Sequence, residues 1–503
     1  MTELRFLYTP GIVPQSFLKV GYFASWGHQP RPTEITFEGN EIIVRSDSGS
    51  SGTVHVLWPN SQLGMVMEST DSLLSQARPY ILTKELVRGA LGRLLRRVFE
   101  WQMSGFKPSP EFVARTAAAS RRFSKIAVGN LPLNEIDNEL TQILAEFGNL
   151  TVDVVKSYTE QSLAWRMRNT DKLPITLGIG LHSHPVNSIY EFDLYANYLK
   201  EAFHAVLPMP TWRELEPQQD IIQWEILEQR IAIAARYGFQ IIMGPLLCFD
   251  VNAIPIWLNS HLQEDDFWER RAIKFVHAIV ERFGSQAYSW ILASKFNSCN
   301  IPAIPVPRAI NLIRHLAQRM RMIGVEKSIM VSIDRPWSEY AMDYITGLDQ
   351  IQLAELLINC SEIDSFMMEM NFGIDNKSTL PRDPVTIGNM IDQWGILGKK
   401  VYISITVPSA NQNDLLENDE STSPAKQWSE NMQHLWVNML LNTLLGRRVV
   451  QGVFWGTLQD ANDDCEDTKV IEPYEVPYAG LIDANRTLKQ AFQNFINAKK
   501  YIE

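Results

Sequence analysis

The sequence predicts an α/β protein: a (β/α)8 TIM barrel carrying an N-terminal β-rich cap and a helical segment. Three observations predict it. From residue 173 to the C-terminus, eight short apolar runs alternate with amphipathic ones, the pattern a barrel of parallel strands and covering helices requires. Before about residue 75, apolar residues alternate with polar ones between turn-forming clusters. Between these regions, residues 76–172 repeat their apolar positions at helical spacing.

In the first region, EITFEGNEIIVRS and TVHVLWP read as half-buried strands, because their apolar residues fall on one face and Gly, Ser, Asn and Pro punctuate them. A small β-sandwich or sheet cap is expected there. Thr83-Lys84-Glu85-Leu86 then opens a helix whose apolar stripe runs through Leu86, Leu91, Leu94, Leu95, Val98 and Trp101 and ends near Gly105. Two more helical patterns follow at 109–128 and 132–168, the second with an expected break at Gly148-Asn149. The eight strand candidates of the third region are Thr176–Leu181, Ala205–Leu207, Gln240–Leu247, Ser289–Ala293, Ile329–Ile333, Ser365–Met370, Val401–Val407 and Val449–Trp455. Amphipathic stretches such as Ile221–Tyr237, Phe267–Phe283 and Ala309–Met322 lie between them.

Composition narrows the partners. The chain has 503 residues, 45% of them apolar, and a formal charge of −11. That balance argues against nucleic acid, whose binding needs a clustered basic surface. The densest basic stretches, Arg93–Arg97 and Arg314–Arg321, recur at helical spacing and read as solvated helix faces. Cys248, Cys299, Cys360 and Cys465 are far apart and form neither a disulfide framework nor a zinc motif. No apolar run reaches the roughly 18 residues of a membrane span, so no membrane partner is expected. The N-terminus lacks the basic and apolar regions of a signal peptide, so a cytoplasmic location is expected.

Several fragments of the third region, in order, resemble glycoside hydrolase family 10, the retaining endo-β-1,4-xylanases. Phe203-His-Ala-Val206 and Trp212-Arg-Glu-Leu-Glu-Pro217 resemble that family's second strand and its sequel. Tyr237-Gly-Phe-Gln-Ile-Ile-Met-Gly244 and Ile254-Pro-Ile-Trp-Leu258 resemble the third strand and the Pro-x-Trp after it. His277-Ala-Ile-Val-Glu-Arg-Phe-Gly284 with Tyr288-Ser-Trp290 resembles the approach to the acid/base, and Ile363-Asp364 stands where the sixth strand begins. Gly452-Val-Phe-Trp-Gly456, Gly480-Leu-Ile-Asp483 and Lys489-x-Ala491-Phe492 resemble the eighth strand and the closing helix.

The resemblance implies a barrel acting on polysaccharide or oligosaccharide with no cofactor, by two carboxyl groups roughly 5 to 5.5 Å apart. The residues that would supply them are missing. The family's acid/base position holds Lys295, and no Asp or Glu occurs between Arg282 and Val325. The nucleophile position holds Ile405, and Lys399–Asn413 contains no carboxylate. The substrate-binding positions differ too: the third-strand His is Pro245, the Trp-His after it is Phe249-Asp250, and the sixth-strand Gln and His are Glu369 and Asn371. A barrel diverged at its catalytic positions, recognising glycan or serving structurally, is therefore expected.

Two other classes stay open. A hydrolase with relocated carboxylates would draw on Asp250, Asp334, Glu369 and Asp460 near predicted strand ends, with Glu369 paired to Asp250 or Asp460. Glu369 ranks first because it sits among apolar residues, where desolvation raises a carboxyl pKa. Against this, such carboxylates commonly pair with cations, here Arg335, Lys295 or Arg382. Trp455, which occupies a position of the resembled family, and Trp212, Phe249 and Trp337 are candidate sugar platforms, against the reading that buried aromatic residues pack. His182 and His184 read as loop histidines, and the acidic run at 460–467 as a solvated loop, so no metal is assigned. A protein-interaction scaffold would expose an apolar face of the helical segment.

Overall fold

The computed structural model describes the chain apart from residues 1, 26–28, 50, 183–187, 263, 302–303, 343–349, 375–377, 411–427 and 461–477. The predicted fold class is the observed one. Eight parallel barrel positions close into one sheet: Thr176–His182, Ala205–Leu207, Gln240–Met243 continued by Leu247–Cys248, Ser289–Ser294, Ser328–Asp334, Ser365–Asn371, Lys400–Thr406 and Val450–Thr457. The first strand pairs with the second and the eighth, which closes the ring. The third position is interrupted at Gly244-Pro245. Gly244 has φ +124°, and a Cβ there would lie 2.1 Å from the Ile291 carbonyl oxygen, so only glycine lets strands three and four approach this closely.

Period-two alternation sorts the barrel side chains. Ala205, Leu207, Ile242, Ile291, Met330, Met367 and Phe454 form the interior cluster, with Tyr402 against it. Residues of the opposite parity, such as Val331, Met368, Ile403 and Val453, join the larger core between strands and helices. Each fully buried side chain of this kind contributes about 1.5–3 kcal/mol.

The cap is two four-stranded sheets. One is ordered Thr33–Glu38, Glu41–Ser46, Thr2–Leu7, Tyr80–Ile81; the other Pro30–Arg31, Tyr22–Ser25, Gly52–Asn60, Gly64–Ser69. Three long helices follow, Leu82–Met103, Pro110–Val128 and Leu133–Arg166. The last runs 34 residues without the break expected at Gly148-Asn149. Close packing, not a turn, explains the glycine: a Cβ on Gly148 would lie 2.3 Å from Asn60 Nδ2, while Asn149 accepts from Ser61 and Gln62 on the turn below.

Cap and helices share one core, which Ile374, Leu380 and Val385 join from the barrel. In return Leu63, Val66 and Leu163 enter the barrel core. The Arg93–Arg97 stretch is a solvated face only in part: Leu95 and Arg96 are exposed, while Arg93 and Arg97 are held. Arg93 bonds Glu68 and Ser69, and Arg97 bonds Asn389 and Asp392, because this side of its helix abuts the barrel.

Candidate functional site

Met330 and Met367 face the barrel interior, so alternation places Ser332 and Asp334 on strand five, and Glu369 and Asn371 on strand six, toward the mouth. Asp334 and Glu369 are register partners, as are Glu369 and Ser404, and Asn371 and Thr406. The C-terminal ends of strands five to seven thus present a polar band over an apolar interior. This is the end at which barrels of this class carry their chemistry.

Strand four supplies the cation. A register shift between Ile291 and Ala293 changes the parity of the residues after it, and Lys295 sits just past the strand end at φ +55°. Its Nζ lies 3.7 Å from Asp250 Oδ2 at the end of strand three. Burial works against the ammonium charge, but the fields of Cys248, Asp334, Asp250 and Glu369 outweigh it, and the Lys295 pKa is raised. Lys295 is therefore held as a charged lysine beside Asp250, in the field of Asp334 and Glu369.

Glu369 is 4% exposed. Burial first, and the neighbouring Asp334 carboxylate second, push its pKa up to about 7, against a hydrogen bond from Ser332 and the charge of Lys295. Ser332 Oγ donates to Glu369 Oε1, whereas Oε2 is buried with no hydrogen-bond partner. Asp334 is held more completely: its Oδ2 accepts from Ser298 at 2.6 Å and from Arg335 Nε at 3.1 Å. Asn297 donates to the Asp334 carbonyl and accepts from its amide. Thr406 Oγ1, on strand seven, is a second buried oxygen without a partner. Thr457 Oγ1 on strand eight is likewise buried without a partner.

The structure brings together Asp250, Lys295, Asp334 and Glu369, with Asn371 beside them. It leaves Asp460 apart: that carboxylate pairs with Lys489 at 2.6 Å and accepts from the Gly480 amide, a buried pair that ties the strand-eight loop to the last helix. Three of the four aromatic candidates lie on the other face of the sheet, and the fourth, Trp337, lies under the Arg382 guanidinium at 4.2 Å. Trp455 is fully buried, and its Nε1 donates to the Ala479 carbonyl. Trp212 packs on Phe275 and Trp268 and donates to Glu216, and Phe249 packs on Trp268. These three rings pack between strands and helices and present no face to the mouth. Ile405 is likewise fully buried in the outer core, and its neighbours Ser404 and Thr406 carry no carboxylate.

Sequence reading named the acids but missed Ser332, Asn297 and Ser298. Two-residue spacing from Met330 was the available signal for Ser332; the asparagine and serine sit in a loop that no periodicity marks. The side chain of His182, and His184 and residues 461–467, lie outside the described residues. Among the described residues, no group of three or more His, Cys, Asp or Glu is placed to hold a metal ion, and no helix is long and apolar enough to cross a membrane.

Fold and site together define a (β/α)8 barrel protein with a charge-compensated acidic mouth. No protein-family model matches the chain, nor does any curated protein. Among solved structures it is similar to xylanase 10B from Thermotoga petrophila in complex with xylobiose, at 12% identity and a TM-score of 0.46 over 69% of this chain and 98% of that one. A glycoside hydrolase family 10 xylanase from Thermobacillus composti is similar at 15% identity and a TM-score of 0.45, over 65% and 97% of the two chains. Xylanase 10C from Cellvibrio japonicus, in complex with xylopentaose, is similar at 13% identity and a TM-score of 0.49, over 65% and 68%.

Proposed function

We propose that this chain binds an oligosaccharide at the barrel mouth and does not cleave it by the two-carboxylate retaining route. The observation that carries the reading is the polar band itself. Glu369 Oε2 and Thr406 Oγ1 are buried and unpaired on adjacent strand ends, beside Asn371 and Ser404. Hydroxyl-rich ligands satisfy such groups, and a neutral carboxyl near pH 7 offers a donor as well as an acceptor. Lys295 and Ile405 at the positions where the resemblance expects acid/base and nucleophile remove the retaining chemistry.

A second reading has its own observation. A carboxyl with a pKa of about 7 is matched to general-acid work, so Glu369 with a carboxylate partner is the site of any hydrolysis the barrel performs. Its closest acidic neighbour along the sheet is Asp334, in place of the Asp250 or Asp460 expected from sequence.

Titration with xylopentaose tests the binding reading. Saturable binding is expected, weakened about tenfold in Thr406→Val, which keeps the shape and removes one hydrogen bond. Absence of binding by the wild type up to millimolar ligand, or an unchanged affinity in Thr406→Val, would count against it.

A further inference from the structure

A cavity lies between the cap, the helix Leu82–Met103 and the barrel helix Pro384–Gly395, with Pro336, Trp337 and Ser338, just past strand five, in its lining. It is an open groove of about 420 Å³, within the range of small-molecule sites. Its apolar wall is Ile351, Met390 and Ile396, and its floor includes Trp337 and the Tyr22–His55 pair, whose rings stack at 4.6 Å. Arg93, Arg96 and Arg97 line the opposite side at helical i, i+3, i+4 spacing.

The charges in this wall do not cancel. The two lining carboxylates are both occupied by Arg97, Glu100 at 3.1 Å and Asp392 at 3.0 Å, and Asp392 also faces Arg447 at 3.4 Å. Arg93 is held by Glu68 at 2.7 Å. Arg96, an exposed residue, lines the same cavity, and no ion pair or hydrogen bond engages it among the described residues. A cation left over beside an apolar wall, in a chain whose net charge is −11, is the arrangement that recognises an anion with a hydrophobic body.

We propose that this cavity is a binding site for a small amphipathic anion, one carboxylate or phosphate group on an apolar body, with Arg96 meeting the oxyanion and Ile351, Met390 and Ile396 covering the body. The site is independent of the barrel-mouth reading and stands or falls separately.

Calorimetric titration of the full-length protein with benzoate, phenyl phosphate, inorganic phosphate and benzyl alcohol tests it. Benzoate or phenyl phosphate should bind at least about tenfold more tightly than either benzyl alcohol or inorganic phosphate, and the tighter of the two identifies the oxyanion. Arg96→Gln should lose about five- to tenfold of that affinity. Ile396, 85% exposed at the rim, tolerates substitution without unfolding, and Ile396→Glu should abolish anion binding. The proposal is overturned if neither aromatic anion binds at millimolar concentration, if benzyl alcohol binds as well as they do, or if both variants bind as the wild type does.

Discussion

At the scale of single residues, the barrel mouth is governed by what burial does to charge. Glu369 keeps its proton to about pH 7, against an ordinary value of 4.5, because burial and Asp334 disfavour the ionised form. A raised folded-state pKa means that the protonated carboxyl is the one the fold accommodates. Its contribution is present at low pH and is lost as pH rises through the window from 4.5 to about 7. Glu369→Gln cannot ionise. Relative to wild type it should gain stability on the order of 2 kcal/mol between pH 5 and 8, read from urea unfolding at each pH. Equal pH slopes in the two proteins would show that Glu369 does not titrate there. The sequence displayed the residue type and its apolar neighbours, which pointed to the upward shift. It did not display Ser332 beneath the carboxyl, or Lys295 brought in from two strands away, because those proximities arise only when the barrel closes.

At the scale of elements, period and turn chemistry fixed the strands closely. All eight barrel runs appear within a few residues of their expected bounds, since buried parallel strands are written as short apolar runs between turn signals. Which face each residue occupies was harder to read. A strand apolar on both sides gives no cue to parity, so Trp455, Trp212 and Phe249 were plausible platforms and proved to be packing. The expected helix break failed for a related reason: a glycine marks either a turn or a close approach, and one sequence cannot separate them. The helix Leu82–Met103 offers a direct test, because it carries both kinds of environment. A Cβ on Gly89 would lie 2.2 Å from the Ser69 carbonyl oxygen, a backbone atom that cannot swing aside, whereas a Cβ on Gly92 meets nothing within 4 Å. Gly92→Ala should raise stability by up to about 1 kcal/mol through helix propensity. Gly89→Ala should lower it by about 2 kcal/mol or more despite the same propensity gain, as measured by chemical denaturation. Similar changes in both would contradict the packing shown for this helix.

At the scale of the whole molecule, the cap is fastened to the loops after strands five and six. Arg382 is 1% exposed, bonds Glu339 at 2.6 Å and the Tyr22 hydroxyl at 2.8 Å, and lies 4.2 Å over the Trp337 ring. The Met67 amide donates to the Pro381 carbonyl beside it. Removing one partner of a buried pair leaves the other charge unpaired, so Arg382→Met should cost about 3–5 kcal/mol in unfolding free energy. A loss below about 1 kcal/mol would show that the pair is not the fastening the distances indicate. The cap lay in the sequence as alternating strands; the fastening did not, because Tyr22 and Arg382 are 360 residues apart.

A barrel that holds an oligosaccharide without breaking it by the retaining route should leave its ligand whole. Purified protein incubated with xylopentaose, followed by mass spectrometry while binding is measured calorimetrically, shows whether it does. Saturable binding is expected, with the pentasaccharide intact and no sugar ester on the protein. Shorter xylo-oligosaccharides accumulating with time, or a covalent glycosyl adduct on any carboxylate of the chain, would contradict it.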